Sequence, residues 1–278
     1  MFFEINPLEI CSNSGSQIVC DVSVLLTSTF LFLILRFLLY YFSAIPKSLK
    51  TKCNESAYWF NVLVSMIHST ITGTWCLLCF YNDPEMASDL INGHGRSAHI
   101  LVTISTGYFL YDVIDNIIML PLSKSWEILL HHAVVSSCFG ISVFRHQYVG
   151  YAVVALLVEV NSVFLHMRML FRLSGVDKKS QIYRVNCIVN LGTFVLFRIC
   201  TLTYMTRWLV FNKVAQPFHG IAVVGMALMT IMNAVLFIRL LIKDCFGQDK
   251  KYHHGDNKVS SDQIKSDSNG HHVRAKIE

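Results

Sequence analysis

Seven apolar runs, each long enough to cross a bilayer as a helix, constrain this chain more than any motif in it. A helix needs about 20 mostly apolar residues to span the hydrocarbon core. Such runs cover roughly residues 20–42, 58–81, 98–120, 126–144, 148–171, 185–210 and 219–242. With 53% apolar and only 15% charged residues in 278, the composition is that of a polytopic membrane protein and argues against a soluble domain. The expected fold class is all-α, a multi-pass membrane protein with seven transmembrane helices. All five prolines (Pro7, Pro46, Pro84, Pro121 and Pro217) fall outside these runs or at their edges, so the helices are expected to be largely unbroken.

Lys and Arg set the orientation, because cytosolic loops retain them. Lys47, Lys50, Lys52, Lys124, Arg172, Lys178, Lys179, Arg184 and the basic residues of the tail fall on one side; Arg96, Arg145, Arg207 and Lys213 fall on the other. The N-terminal stretch has Glu4, Glu9 and Asp21 without a basic residue, which puts the N-terminus outside or in a lumen and the C-terminus in the cytosol. The first run is then a retained helix, since its leader lacks the positive charge of a signal peptide. The net charge of +5 is a topology signal and gives no reason to expect nucleic acid as a partner. The chain reads as three parts: 1–52 with the first helix, 53–245 as the main membrane domain, and a disordered cytosolic tail over 246–278. Nine cysteines make no framework. Cys11 and Cys20 can pair on the oxidising side, Cys76 and Cys79 read as core residues inside the second run, and Cys245 is a candidate for acylation. The sequon Asn54-Glu55-Ser56 faces the cytosol in this orientation and is expected to stay bare.

Ionisable groups at membrane depth are rare because the bilayer cannot solvate them, and they are read as functional by default. Trp126-Glu127-Ile128-Leu129-Leu130-His131-His132 opens the fourth run, Asp112 and Asp115 lie within the third, and Glu159 lies within the fifth. Counted at ~1.5 Å per residue, Asp112, Asp115, His131 and His132 all fall roughly 8 to 12 Å from the cytosolic boundary, so they can meet. Asp112 and Asp115 share a helix face. The two histidines diverge by about 100°, so one is expected to face a cavity while the other bonds a neighbouring helix. Glu159 near mid-membrane and Arg198 at a similar depth form the most economical ion pair available. His68, Asn161, His166, Asn190 and Asn233 complete the expected lining. Metal binding is not expected in this interior, because adjacent histidines make poor shared ligands.

These residues carry a family resemblance. Gly107-Tyr108-Phe109 with Asp112, Trp126-Glu127 leading to His131-His132, and Leu156 to Asn161 with Glu159 resemble the TLC domain shared with ceramide synthases, over about residues 50–245. Asn61 to Ser65, His68-Ser69, Gly73-x-Trp75, Leu156 to Val160 and Tyr183 to Asn186 are similar to the subfamily of TLC domain-containing proteins 1 and 2. The resemblance implies a six-helix barrel open toward the cytosol and preceded by one extra helix. In ceramide synthases the His pair is catalytic, one histidine being thought to take the acyl group from acyl-CoA, which gives His131 and His132 that candidate role with Asp112 or Asp115 orienting a ring. The acidic motif departs, with Ser162 where a second Asp would stand, and this argues against ceramide synthesis.

What the subfamily resemblance implies is control of plasma-membrane composition and fluidity by limiting incorporation of phospholipids with long polyunsaturated chains. The expected partners are phospholipids or acyl chains held in a transmembrane cavity, with no cofactor. Two rival readings stand beside it. One is an acyltransferase that would use acyl-CoA as substrate; the other is a non-enzymatic regulator of a channel or lipid enzyme. Arg274 and Lys276 resemble a dibasic retrieval signal, so the endoplasmic reticulum is the alternative location.

Overall fold

The structure is a computed structural model that describes residues 14–42, 45–46, 49–50, 53–93, 95–119, 121–212 and 214–243. The described residues are almost entirely helical and contain no strand. The helices are α1 (Ser14–Phe42), α2 (Cys53–Asn82), α3 (Arg96–Met119), α4 (Leu122–Arg145), α5 (Val149–Leu156), α6 (Val158–Leu173), α7 (Gln181–Phe194), α8 (Cys200–Phe211) and α9 (Phe218–Leu241). The chain divides into two compact units, Met1–Asn233 and Ala234–Glu278, and the second contains the last turns of α9. The expected tail and the residues Cys11, Cys245, Arg274 and Lys276 lie outside the described residues.

Among the described residues, six helical segments are long and apolar enough to cross a membrane: Gly15–Phe42, Asn54–Asn82, Ser125–Arg145, Val149–Leu173, Gln181–Phe211 and Phe218–Leu241. α3 has 24 residues, about 36 Å of helix, but the hydroxyls of Thr103, Ser105 and Thr106 and the carboxylates of Asp112 and Asp115 dilute its apolar content. It is instead enclosed by protein over much of its length, with polar and apolar residues both buried. Large apolar side chains such as Phe30, Phe37, Ile188, Val210 and Phe211 are exposed on other helices, the surface expected where lipid is the solvent.

Two expected spans are interrupted, which corrects the reading from proline placement. The run 148–171 divides into α5 and α6 at Leu157, where i to i+3 bonds from Leu157 N–H to Val154 C=O (3.1 Å) and from Val160 N–H to Leu157 C=O (3.2 Å) tighten the turn. The run 185–210 passes through a turn of π-helix at Val195–Ile199. Proline is one cause of such irregularities and a π-turn is another; Arg198 lies within this one.

Helix ends are set locally. Gly175 takes φ +75 after α6, and Val176 N–H to Phe171 C=O (2.9 Å) with Gly175 N–H to Arg172 C=O (3.3 Å) closes a Schellman motif. Ser180 caps α7 by accepting from Tyr183 N–H. Between α2 and α3, Leu90 is fully buried against Val154, Leu202, Met205, Leu209 and Met226, and the loop is tied to α5 by Tyr148 N–H to Ile91 C=O (2.7 Å) and Tyr151 N–H to Leu90 C=O (3.2 Å). A second core joins α2, α3, α4 and α5 around Val64, Cys76, Leu101, Tyr111, Val143 and Val153. Cys76 and Cys79 sit in it as free thiols. Cys20 is disulfide-bonded.

Close helix approaches depend on glycine. At Gly107 a Cβ would stand 2.5 Å from the Leu25 carbonyl oxygen and 2.8 Å from Ser28 Cβ. Its absence lets α1 lie against α3, where Ser28 Oγ donates to Ile104 C=O and Thr29 Oγ1 to Gly107 C=O, each at 2.9 Å. Gly107→Ala is therefore expected to lower stability by about 1–3 kcal/mol. Gly192→Ala, where a Cβ meets nothing within 4 Å, is expected to raise stability by about 0.5–1 kcal/mol. Thermal unfolding in one detergent checks both.

The loop also carries a pH-sensitive turn. Asp89 Oδ1 accepts the N–H of Asn92 (3.1 Å) and of Ile91 (3.0 Å), and these bonds hold its carboxyl below the usual carboxylate range. A depressed folded value stabilises the turn above the unfolded value of about 3.9, and the contribution is lost as pH falls through the lower folded value. Amide protection of Ile91 and Asn92 is expected to fall in that acidic window for the native chain, and to be flat with pH in Asp89→Asn.

Candidate functional site

The third helix places Asp112 and Asp115 one turn apart on a buried face, 1% and 5% exposed, so their charge must be met by protein donors. Asn61 on α2 supplies both hydrogens of one amide: Nδ2 donates to Asp112 Oδ1 at 2.9 Å and to Asp115 Oδ2 at 3.0 Å. Arg36 on α1 donates from Nε to Asp115 Oδ1 at 3.0 Å and from Nη2 to the Ala57 carbonyl at 3.1 Å, with its guanidinium 5.4 Å from the Phe60 ring centre. Asn116 Nδ2 donates to Asp112 Oδ2 at 2.7 Å. His132 Nδ1 stands 2.8 Å from the same oxygen, although its angle is not that of a hydrogen bond. Four helices thus meet on one pair of carboxylates.

The two histidines divide between this network and a cavity. His132 lies on the network side, its ring 5.1 Å from Phe109 and 5.1 Å from His131. His131 lines an apolar cavity of about 130 Å³ that is partly open to the surroundings. Its walls come from α4, α5, α8 and α9, including Val134, Phe139, Tyr151, Ala155, Met205 and Gly225. Glu159 is also on the wall and accepts from Ser69 Oγ on α2 at 2.6 Å. Against expectation, the carboxylate beside a histidine belongs to the ring that does not line the cavity. Among the described residues His131 has no hydrogen bond.

Arg198 gives a second correction. It makes no ion pair with Glu159 among the described residues and instead donates to three neutral oxygens: Nε to Asn161 Oδ1 at 2.7 Å, Nη1 to Asn233 Oδ1 at 2.8 Å and Nη2 to Ser162 Oγ at 2.8 Å. The Phe194 ring centre is 5.5 Å from the guanidinium. Asn161 Nδ2 passes the contact on to Asn190 Oδ1 at 3.1 Å and Thr193 Oγ1 at 3.0 Å. The geometry has a physical reason: a guanidinium has five N–H groups in a planar fork, and one carboxylate can satisfy only part of it, whereas amides and a hydroxyl from α6 and α9 satisfy three of its positions.

His68 is 1% exposed and stacked on Tyr108 at 3.6 Å with an interplanar angle of 15°. Its Nε2 is 3.1 Å from Thr72 Oγ1. His166, half-buried on α6, lies within electrostatic range of Asp112 and His132. Apart from His68 and His166, the expected residues form three groups: the Asp112, Asp115 and His132 network, the Asn161, Asn190, Arg198 and Asn233 network, and the cavity wall with His131 and Glu159.

Sequence reasoning missed Arg36, Ser69 and Asn116. Arg36 is the one basic residue inside the first apolar run, and the depth rule applied to Asp112 applies equally to it. It also missed the approach of His99 and His146 to Asp21 at the other end of α1.

The helices and their buried charges define a multi-pass integral membrane protein. A family model described as the TLC domain matches residues 58–242. The chain is 54% identical over 188 residues to TLC domain-containing protein 2 of Danio rerio, covering 67% of this chain and 76% of that one. It is 40% identical to TLC domain-containing protein 2 of Homo sapiens over 67% and 71% of the two chains, and 34% identical to TLC domain-containing protein 1 of Gallus gallus over 74% and 81%. The chain belongs to the TLC-domain family.

Removing one partner of a buried ion pair leaves an uncompensated charge, at a cost of about 3–5 kcal/mol. Arg36→Met alone is expected to destabilise the protein by about that amount, and Arg36→Met with Asp115→Asn by clearly less. A double-mutant cycle on thermal unfolding in detergent measures the coupling.

Proposed function

We propose that this protein regulates the composition and fluidity of the plasma membrane, limiting incorporation of phospholipids with long polyunsaturated chains by holding a phospholipid or free acyl chain in the cavity. The supporting observation is the cavity itself: its walls are apolar except at His131, Glu159 and a few hydroxyls. A methylene chain gains about 0.8 kcal/mol per buried CH₂ relative to water, and the two ionisable groups can anchor an ester, carboxyl or headgroup. In this reading α3 makes the seventh membrane crossing, the last six spans form the TLC barrel over residues 53–245, the N-terminus is outside, and residues 246–278 are a cytosolic tail.

Gly225 lies on the wall, where a Cβ would meet Cys138 Sγ at 3.5 Å and Val134 Cγ1 at 3.6 Å, so Gly225→Leu fills the hollow without touching the polar networks. In cells that depend on this protein, Gly225→Leu and His131→Ala are each expected to raise the share of long polyunsaturated phospholipids measured by lipid mass spectrometry. Unchanged profiles with normally folded protein would remove cavity binding from the mechanism.

Acyl transfer is the second reading, favoured by His131, which presents an imidazole to the cavity where an acyl chain would lie. Turnover of labelled acyl-CoA by purified protein, lost in His131→Ala, distinguishes it from simple binding. A regulator of a channel or lipid enzyme would leave both measurements unaffected.

A further inference from the structure

At the end of the molecule away from Asp112 and His132, three side chains from three helices converge. Asp21 is on α1, His99 is near the start of α3, and His146 terminates α4. His99 Nε2 lies 2.9 Å from Asp21 Oδ1 and His146 Nε2 lies 3.0 Å from Asp21 Oδ2. The two imidazoles stack at 4.4 Å with planes 12° apart, so both present the same ring edge to one carboxylate. One ligand atom from each residue lies within 4.8 Å of the others.

Two further observations separate this cluster from an ordinary set of interhelical hydrogen bonds. Asp21 is 8% exposed, and its Oδ2 and the Nε2 of His146 are buried without a hydrogen bond despite being 3.0 Å apart. The two atoms are close without hydrogen-bond geometry, so the contact leaves ligand capacity on both. In addition, His146 has φ 50 and ψ 33, a left-handed conformation that costs a branched or ringed side chain roughly 1–2 kcal/mol and that collects where a side chain is held for a purpose. The neighbouring Arg145 does not neutralise the acid; its guanidinium is 5.4 Å from the Phe218 ring centre.

We propose that Asp21, His99 and His146 form a binding site for a divalent transition metal of the zinc class, which clamps α1 to α3 and α4. Two imidazole nitrogens and a carboxylate oxygen suit zinc, and they disfavour calcium or magnesium, which require oxygen ligands. Tetrahedral zinc with bonds of 2.0–2.2 Å sets its ligand atoms about 3.3 Å apart, so modest side-chain rotations turn the observed contacts into a three-ligand set with one position left for water. The same three helices meet again at Arg36, Asp115 and His132, about 22 Å along α1 from Asp21. A metal here fixes the register in which those side chains reach each other.

The test uses full-length protein purified in detergent through a tag without histidine, stripped with chelator, with His253, His254, His271 and His272 changed to alanine so that the tail cannot bind. One equivalent of Zn²⁺ per chain is expected by calorimetry and metal analysis, with a rise in unfolding temperature, and Co²⁺ is expected to give the visible absorption of a tetrahedral site. His146→Asn preserves the backbone, because Asn tolerates the left-handed region, and is expected to weaken Zn²⁺ binding by at least about 100-fold, since losing an outer-shell partner alone costs 10–100-fold. Asp21→Asn is expected to do the same. Sub-stoichiometric zinc, or equal binding by the native chain and by folded His146→Asn, would overturn the site and mark the metal as an adventitious ion only.

Discussion

One amide bridges the two acids on which four helices converge. Asn61 spends its two N–H groups on Asp112 and Asp115, and neither carboxylate can stay in an apolar segment without such donors. Once α3 carries both acids on one face, α2 must bring Asn61 to them, α1 must bring Arg36, and α4 arrives with His132. α1 could have been held by lipid contact alone. Instead the absence of a Cβ at Gly107 lets it approach closely enough for Ser28 and Thr29 to bond the α3 backbone, and that approach brings Arg36 within 3.0 Å of Asp115.

The same helices keep this network apart from the hollow. His131 and His132 are consecutive, so their side chains diverge by about 100°, and only His131 joins the cavity wall. Phe109, which touches the His132 ring at 5.1 Å, also lines the cavity and stands at the boundary. Acid and amide groups therefore fix the helices from behind, while the cavity wall is mostly aliphatic and aromatic. The polar contacts that set the helix positions are thus separate from the apolar surface of the hollow.

Much of this was legible in the residues. The apolar runs gave the helical class, and the depth count brought Asp112, Asp115 and the His pair to one level. What could not be read was partner choice. Depth counting places Glu159 and Arg198 at one level but says nothing about helix rotation, and the π-turn at Val195–Ile199 shifts Arg198 off the rows that regular periodicity assigns. The break at Leu157 has no proline or glycine to announce it. Arg36 is visible as a charge, but toward a helix end a basic residue is ordinary and can snorkel to the interface. The meeting of Asp21, His99 and His146 depends on where three separate helices begin and end, and sequence boundaries are least certain there.

Ser162 ties the family pattern to the charge balance. Its hydroxyl accepts from Arg198 at 2.8 Å, so an aspartate at that position, as the ceramide-synthase pattern would have it, would stand against the guanidinium as an ion pair. With serine there, the hydrogen-bond partners of Arg198 are all neutral. Glu159 in turn has one hydroxyl donor, Ser69. The acid thus stands on the cavity wall held by a hydroxyl, with no ion pair among the described residues.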